Sequence, residues 1–317
     1  MPQVTLSEEY LVDISGTSDG SQDKYNKDGF WYKQDSRTDE GYNEALASKI
    51  LMCSNLSPCS YVEYEQVEIN GIPGCKSPEF KEPDEVDVSI YRLYANTRGG
   101  DMARALQDMD MDDGIEFTLE FMKQQTGLDL RTYIANMISF DQLILNCDRH
   151  LNNISVLFNS RTGEFREAPI YDNGRSFFCG VRKFDPAKSI RENIKQVMAR
   201  PFSPSFALVT NYLENARTLE INKAMLEKLV RSLNNSLSRE VLEYQLRNPA
   251  MKLLSDNVDD IQKEMDKKGI YITSMLISEK PPVFSNNDIA NVLSRASMLK
   301  KDGKTDTEMI KVEPPHI

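Results

Sequence analysis

The chain has 317 residues, of which 40% are hydrophobic and 27% are charged, a length that can bury one large or two smaller cores. Asp and Glu (49) outnumber Lys and Arg (38), giving a formal net charge of −11, which argues against a general nucleic-acid-binding protein. No apolar run approaches the roughly 20 residues of a transmembrane helix. Met1–Asp13 also lacks the basic start of a secretory signal. We therefore expect a cytoplasmic enzyme, with a secreted effector as the open alternative.

Cysteine and histidine usage removes several further classes. The five cysteines are scattered and form no C-x-x-C pair, so neither a zinc ribbon nor a disulfide framework is indicated. The two histidines, His150 and His316, are too few for a multi-histidine metal site. The sequence also has no G-x-S-x-G motif that would support a serine hydrolase.

In chain order, the first hundred residues predict a strand-rich region with one helix. A loop rich in Gly, Ser and Asp is followed by an aromatic strand, a helix with apolar residues three and four apart, and two further extended segments. These segments are residues 15–24 (loop), 30–33 (strand), 42–53 (helix), 61–69 (extended), 71–74 (turn) and 86–95 (strand).

The remainder predicts mainly helices. Helical spacing covers residues 128–147, a β-hairpin covers 154–171, and nearly everything beyond 185 is predicted to be helical, especially 223–246. We therefore expect an α+β fold with a small strand-rich N-terminal lobe (1–96), a larger helical C-terminal lobe (97–302) and a flexible tail (303–317). A cleft between two lobes is a common place for a ligand.

The motif that carries most chemical information is Asn146-Cys147-Asp148-Arg149-His150-Leu151-Asn152-Asn153, followed after a predicted hairpin by Tyr171-Asp172-Asn173-Gly174. Phosphoryl transfer needs a carboxylate for the acceptor hydroxyl and oxygen ligands for magnesium. Asp148 and Asn153 are five residues apart, which is the offset between the base and the metal-binding Asn of a kinase catalytic loop. The hairpin returns Asp172 towards that loop, so Asp148 is predicted as the base and Asn153 with Asp172 as the Mg²⁺ ligands.

The other half of a phosphotransferase site is predicted in the N-terminal lobe. Lys33 ends an aromatic strand and Glu44 lies in the next helix, as in kinases whose strand lysine contacts ATP phosphates and pairs with a helix glutamate. Gly20, Ser21 and Gln22 lie in a loop whose backbone N–H groups could cover the phosphates.

The adenine-binding hinge is placed by position alone. We expect backbone groups of Arg92, Leu93 and Tyr94, where the two predicted lobes join, to hold the adenine.

The pattern D-R-H-x-x-N followed by D-x-G resembles that of atypical kinases, a group that includes phosphatidylinositol kinases and bacterial HipA-like protein kinases. The segments Gly20-Ser21-Gln22-Asp23-Lys24, Trp31-Tyr32-Lys33 and Asn43-Glu44 resemble the HipA-like branch, in its compact stand-alone form. This resemblance implies a two-lobed protein-kinase-like fold, transfer of the γ-phosphate of ATP to Ser or Thr of a protein substrate, and autophosphorylation. The metal motif reads Asp-Asn-Gly, so no Phe-based switch is expected.

Two alternatives to a protein kinase remain open at this point. One is a phosphoinositide or small-molecule kinase, although the acidic composition disfavours a membrane-facing basic patch. The other is a nucleotide-binding pseudokinase, which the presence of every expected catalytic residue disfavours.

Overall fold

The structure is a computed structural model that describes residues 1–12, 22–36, 38–206 and 213–256. Its strands are β1 (Gln3–Val4), β2 (Lys24–Lys27), β3 (Phe30–Gln34), β4 (Glu65–Ile69), β5 (Ile72–Pro78), β6 (Glu85–Ser89), β7 (Ser155–Asn159), β8 (Phe165–Glu167), β9 (Ile221–Asn222) and β10 (Leu254–Ser255). Its α-helices are α1 (Glu40–Met52), α2 (Ile90–Arg98), α3 (Met102–Gln107), α4 (Met111–Thr126), α5 (Arg131–Ile144), α6 (Ile190–Ile194), α7 (Lys223–Arg231) and α8 (Ser236–Arg247).

The N-terminal strands form a five-stranded sheet in the order β1-β4-β5-β3-β2. Two of its hairpins have two-residue loops, Asp28-Gly29 and Asn70-Gly71, in which all four residues have positive φ angles between 52° and 82°. Asp-Gly and Asn-Gly tolerate this conformation, and the resulting turns match the right-handed twist of the strands. These two turns set the registers of β2 with β3 and of β4 with β5, and the two hairpins pair through β3 and β5, where Lys33 lies opposite Cys75.

Helix α1 packs against the sheet at a point where two glycines meet. A Cβ atom on Gly41 would lie 2.5 Å from the backbone carbon of Gly74 on β5, so no larger residue fits at the present spacing. The buried side of α1, including Leu46, Ile50 and Leu51, belongs to the main hydrophobic core together with α5 and the helices that follow. Helix α1 therefore joins the sheet to the helical part and sets the position of Glu44 between them.

The second sheet combines one strand that precedes helices α2 to α5 with two strands that follow them. Strand β6 pairs with β7, and β7 pairs with β8, all antiparallel, so residues 155–167 form the predicted hairpin. The hairpin of β7 and β8 begins directly after the motif at 146–153 and leads the chain back to Asp172. The predicted lobe boundary after residue 96 stays a prediction, and the predicted tail over 303–317 lies outside the described residues.

Three predicted elements are wrong in part. The turn predicted over 71–74 is confined to Asn70-Gly71, because β5 begins at Ile72 and pairs there with β4. The strand predicted over 86–95 ends at Ser89, whose side chain caps the N-terminus of α2 by accepting from the N–H of Arg92, so residues 90–98 are helical. Within the described residues, the nearly continuous helix predicted beyond residue 185 is limited to the short α6 and to α7 and α8, and α8 begins after its N-cap Asn235. Capping residues set where these elements begin, and the hydrophobic spacing of a sequence does not reveal the position of a cap. No helix in the described part of the chain is long and apolar enough to cross a bilayer.

Candidate active site

The side chains of Lys33, Glu44 and Asp172 meet in the structure. Lys33 Nζ lies 3.0 Å from Glu44 Oε1 and 2.9 Å from Asp172 Oδ1, although these residues come from a strand, a helix and a distant loop. The side chain of Glu44 is 3% exposed, whereas that of Asp172 is 32% exposed. Lys33 is thus held by a buried acid on one side and an accessible acid on the other.

The charges of these three groups reinforce each other. Burial by itself would lower the pKa of Lys33, but the carboxylates of Asp172 and Glu44 hold that pKa well above its usual range. Burial would likewise raise the pKa of Asp172, yet the Lys33 ammonium 2.9 Å away keeps it well below its usual range. Lys33 is therefore cationic and Asp172 anionic at neutral pH, as phosphate and cation ligands require.

Asp148 and Asn153 are fixed to each other by the turn that connects them. Asn153 Nδ2 donates to the backbone carbonyl of Asp148 at 3.0 Å, and the backbone N–H of Asp148 donates to Asn146 Oδ1 at 3.1 Å. The Asp148 carboxylate remains 28% exposed and faces Arg200, with Arg200 Nη1 at 3.4 Å from Asp148 Oδ1. The carboxylate can therefore be reached by an acceptor hydroxyl.

Arg149 joins the catalytic loop to the loop that carries Asp172. Its guanidinium is buried and pairs with Asp141 of α5 through two bonds of 2.9 and 3.0 Å. The same guanidinium donates to the backbone carbonyls of Asn153 and Tyr171 and, at 2.6 Å, to Asn173 Oδ1. Since one nitrogen contacts both carbonyls, the chain at Asn153 and the chain immediately before Asp172 lie side by side.

The Asp172 loop is also bonded to α1. The N–H of Asn173 donates to Glu44 Oε2 at 2.8 Å, and Asn43 Nδ2 donates to the carbonyl of Gly174 at 2.9 Å. Asp172 itself has a φ angle of 59°, a left-handed conformation that a non-glycine residue adopts only when its surroundings enforce it. Such strain is typical of functional sites, and here the bonds from α1 and Arg149 maintain it.

The oxygen atoms present suit a divalent cation. Asn153 Oδ1 is buried and has no hydrogen-bond partner among the described residues, which is a costly state for an amide oxygen unless a ligand satisfies it. No three His, Cys, Asp or Glu side chains cluster as a metal site within the described ranges. Asn153 and Asp172 therefore fit Mg²⁺, which is usually held by one or two protein oxygens plus substrate phosphates.

Lys33 and Asp172 line a cavity of about 400 Å³ between the two sheets. Phe80 and Tyr171 stack there with ring centroids 5.5 Å apart. The cavity is lined by charged, polar and aromatic side chains and one valine, namely Lys24, Trp31, Lys33, Tyr64, Ser77, Glu79, Phe80, Lys81, Glu85, Val86, Asp87, Ser89, Arg92, Asn152, Tyr171 and Asp172. This volume and lining are those of a small-molecule site.

Strand β6 offers its backbone to this cavity. It is an edge strand of its sheet. The N–H of Ile90 donates to the carbonyl of Ile154, and this bond fixes which alternate residues of β6 direct their backbone groups to β7. By the alternation of an antiparallel ladder, the N–H and C=O of Asp87 point to the open edge. Asp87 lines the cavity, so its peptide groups are available to a planar base.

The residues predicted to bind adenine are only partly at the cavity. Arg92 lines it, but Leu93 and Tyr94 pack against the main core, where Tyr94 contacts the ring of Phe121. Residues 92–94 are inside α2, whose backbone groups bond within the helix. The adenine contact at these residues stays a prediction, although their backbone is helical because the chain turns into a helix earlier than expected.

The predicted phosphate loop is mostly outside the described residues. Gly20 and Ser21 belong to the range that the structure does not describe. Gln22 is buried, with Nε2 at 3.4 Å from Asp35 Oδ1, and it is not among the residues that line the cavity.

Sequence reasoning missed several residues that the structure brings to the site. Lys24, Tyr64 and Asp87 line the cavity, and Arg200 contacts Asp148. Asp141 was detectable in principle, because a carboxylate within an otherwise apolar helix segment needs a buried partner. Arg200 carries no local signal, since it reaches Asp148 across 52 residues of mostly irregular chain.

Comparisons with known proteins support the fold. No protein-family model and no curated protein sequence matches the chain. Among solved structures, it is similar to the Helicobacter pylori proinflammatory kinase CtkA, with a TM-score of 0.55 and 15% sequence identity over 84% of this chain and 99% of that kinase. This chain has a kinase-like fold. The predicted α+β, two-lobed architecture is confirmed, and at this identity the similarity concerns the fold alone.

Proposed function

We propose that the chain is an ATP-dependent phosphotransferase and, more specifically, a Ser/Thr protein kinase of the HipA-like kind. The observation that carries the proposal is the double contact of Lys33 with Glu44 and Asp172 on the wall of a nucleotide-sized cavity. The kinase-like fold, shared with a solved structure that is itself described as a kinase, supports it.

Each of the site residues has a role in this proposal. Lys33 holds the phosphate tail of ATP, and Glu44 keeps the ammonium in place from its buried side. Asn153 and Asp172 hold Mg²⁺, which supplies neutralisation of the phosphate charge when it is bound. The open backbone of Asp87 and the stacked rings of Phe80 and Tyr171 hold the base.

Asp148 orients the hydroxyl of the acceptor and takes its proton during transfer. Its carboxylate is partly exposed, and the two bonds to Asn146 and Asn153 set its backbone. Arg200 neutralises this carboxylate in the structure at 3.4 Å, so an acceptor must take the place of that contact.

Intact-protein mass spectrometry after incubation with Mg·ATP tests the proposal without knowledge of the substrate. We expect the wild-type chain to gain phosphate, and Asp148→Ala and Asp172→Ala to gain none while their circular dichroism spectra match the wild type. Phosphate gained equally by Asp148→Ala would refute the role of the base. Parallel reactions with peptides and with phosphoinositides separate a protein kinase from a lipid kinase, and Mg·ATP binding without any transfer would indicate a pseudokinase.

A further inference from the structure

The segment that follows the Asp172 loop is strongly basic in an acidic protein. Between Arg175 and Arg200 there are seven Lys or Arg residues and only two acids, whereas the whole chain has a net charge of −11. Six of the seven basic side chains are exposed: Arg182, Lys183, Lys188, Arg191, Lys195 and Arg200. Positive charge is thus concentrated on one stretch of surface, which we call the basic segment (residues 175–200).

Both ends of the basic segment are anchored at the catalytic loop. The carbonyl of Arg175 accepts from the N–H of Cys147, the neighbour of Asp148, at 3.1 Å. At the other end, the guanidinium of Arg200 lies 3.4 Å from Asp148 Oδ1. The segment therefore leaves the proposed base and returns to it, so its exposed charges border the place where an acceptor hydroxyl must arrive.

Most of this charge is not used inside the molecule. Arg182, Lys183, Arg191 and Lys195 form no salt bridge with any residue in the described ranges, and Lys188 pairs only with the nearby Asp185 at 3.4 Å. Arg175 and Arg200, at the two ends of the segment, are paired: Arg175 Nε lies 3.9 Å from Glu40 Oε1, and Arg200 contacts Asp148. Cations that are left without acids beside an active site favour an anionic partner.

The surroundings favour a polypeptide over a membrane. A surface that inserts into lipid carries exposed aromatic or large aliphatic side chains beside its cations. Met198 is the one large hydrophobic residue of the basic segment found to be highly exposed in the described structure. The net charge of −11 also opposes approach to an anionic bilayer.

We propose that the basic segment docks the acidic flank of a protein acceptor, so that the enzyme selects Ser or Thr residues neighboured by Asp or Glu. This inference rests on the proposed kinase function. Each exposed charge pair contributes about two- to fivefold in binding, so several together give a preference of roughly tenfold or more.

A binding measurement tests the inference independently of catalysis. Fluorescence anisotropy compares a labelled peptide that has a central Ser flanked by Asp and Glu with the same peptide carrying Asn and Gln instead. We expect the full chain to bind the acidic peptide at least about tenfold more tightly at low salt. The variant R182E/K183E/R191E/K195E should lose this preference, whereas the control R98E/R104E/K123E/R247E, with the same change in charge on helices α2, α3, α4 and α8, should keep it.

The outcomes separate the two proposals. Equal affinity for the two peptides, or equal loss in the test and control variants, would overturn the docking inference and leave the kinase function standing. Binding to vesicles containing phosphatidylserine without a preference for the acidic peptide would also overturn it, in favour of a membrane surface. A wild-type chain that prefers the acidic peptide but transfers no phosphate would instead refute the kinase function. If both proposals hold, Asp148→Asn should bind the acidic peptide with wild-type affinity while losing phosphate transfer.

Discussion

The ammonium nitrogen of Lys33 lies 2.9 Å from Oδ1 of Asp172, a residue 139 positions further along the chain. This contact joins the N-terminal sheet to the loop that follows β8, and Glu44 supports it from the buried side at 3.0 Å. ATP phosphates would compete with Asp172 for Lys33, which would leave the carboxylate of Asp172 free for a cation. The pair is therefore both a structural link and the point at which a nucleotide would act.

Replacing Lys33 should remove phosphate transfer more than it perturbs the fold. We expect Lys33→Met to reduce transfer from Mg·ATP at least about 100-fold, because a charge that stabilises the transferring phosphates is lost. Labelled-phosphate assays at saturating ATP measure this. Lys76→Met is the matched control, since Lys76 lies on the same sheet and pairs with Glu65 at 2.9 Å outside the cavity. Transfer lost equally in both variants would argue that the sheet, rather than the site, is affected.

The buried pair of Arg149 and Asp141 should dominate the stability of the loop region. Arg149→Met leaves the buried Asp141 carboxylate without its counter-charge, with only the bond from Asn146, and removes donors to two backbone carbonyls, so we expect a loss of about 3–5 kcal/mol in the free energy of unfolding. Urea denaturation measures it. The control is Arg161→Met, whose exposed pair with Asp84 should contribute less than about 1 kcal/mol. Similar values for the two variants would contradict the central position assigned to Arg149.

The contact between Gly41 and Gly74 should tolerate no side chain. We expect Gly41→Ala to destabilise the protein by about 1–3 kcal/mol, despite the better helix propensity of Ala, because the new methyl group meets the β5 backbone at 2.5 Å. Gly114→Ala in α4 is the control, where the nearest atom is 3.4 Å away and belongs to a flexible leucine side chain. That variant should be neutral or slightly stabilising, as thermal denaturation will show. A neutral Gly41→Ala would mean that α1 does not pack as described.

The carboxyl group of Asp35 should make stability depend on pH. Burial, partly offset by the hydrogen bond from the N–H of Gly41, raises the pKa of Asp35 to about 6. Between about pH 4 and pH 6 the folded state then binds more protons than the unfolded state, so this group's contribution to the free energy of unfolding falls as pH rises.

The comparison that isolates this group is with Asp35→Asn, which can still accept the Gly41 N–H bond. Relative to this variant, we expect the wild type to lose about 1 kcal/mol between pH 4 and pH 7, a value reduced because Asp35 is half exposed. Urea denaturation at several pH values measures the difference. A difference that stays constant across this range would show that Asp35 titrates normally.

Sequence patterns predicted the local parts of the site well because each part is a local signal. The aromatic strand with Lys33, the helix with Glu44 and the offset between Asp148 and Asn153 are all contained within short windows. The convergence of Lys33 with Asp172 followed from the expected kinase-like order of these parts. The structure shows the direct contact between Lys33 Nζ and Asp172 Oδ1.

Other parts of the site could not be predicted because they depend on packing. The role of Arg149 depends on Asp141 and Asn173, which come from a helix and a distant loop. The true position of the open strand edge depended on Ser89, a single capping residue that ended β6 and started α2. Such effects are decided by tertiary contacts, which override propensity within a window.

The most direct test of the central claim is to measure the rate of γ-phosphate transfer and the affinity for Mg·ATP together in wild type, Asp148→Asn and Asp172→Asn. If these residues act as proposed, Asp148→Asn binds Mg·ATP with wild-type affinity but transfers phosphate at least about 100-fold more slowly, while Asp172→Asn loses both properties. Wild-type transfer rates in Asp148→Asn, or magnesium-dependent ATP binding that is unchanged in Asp172→Asn, would contradict the account.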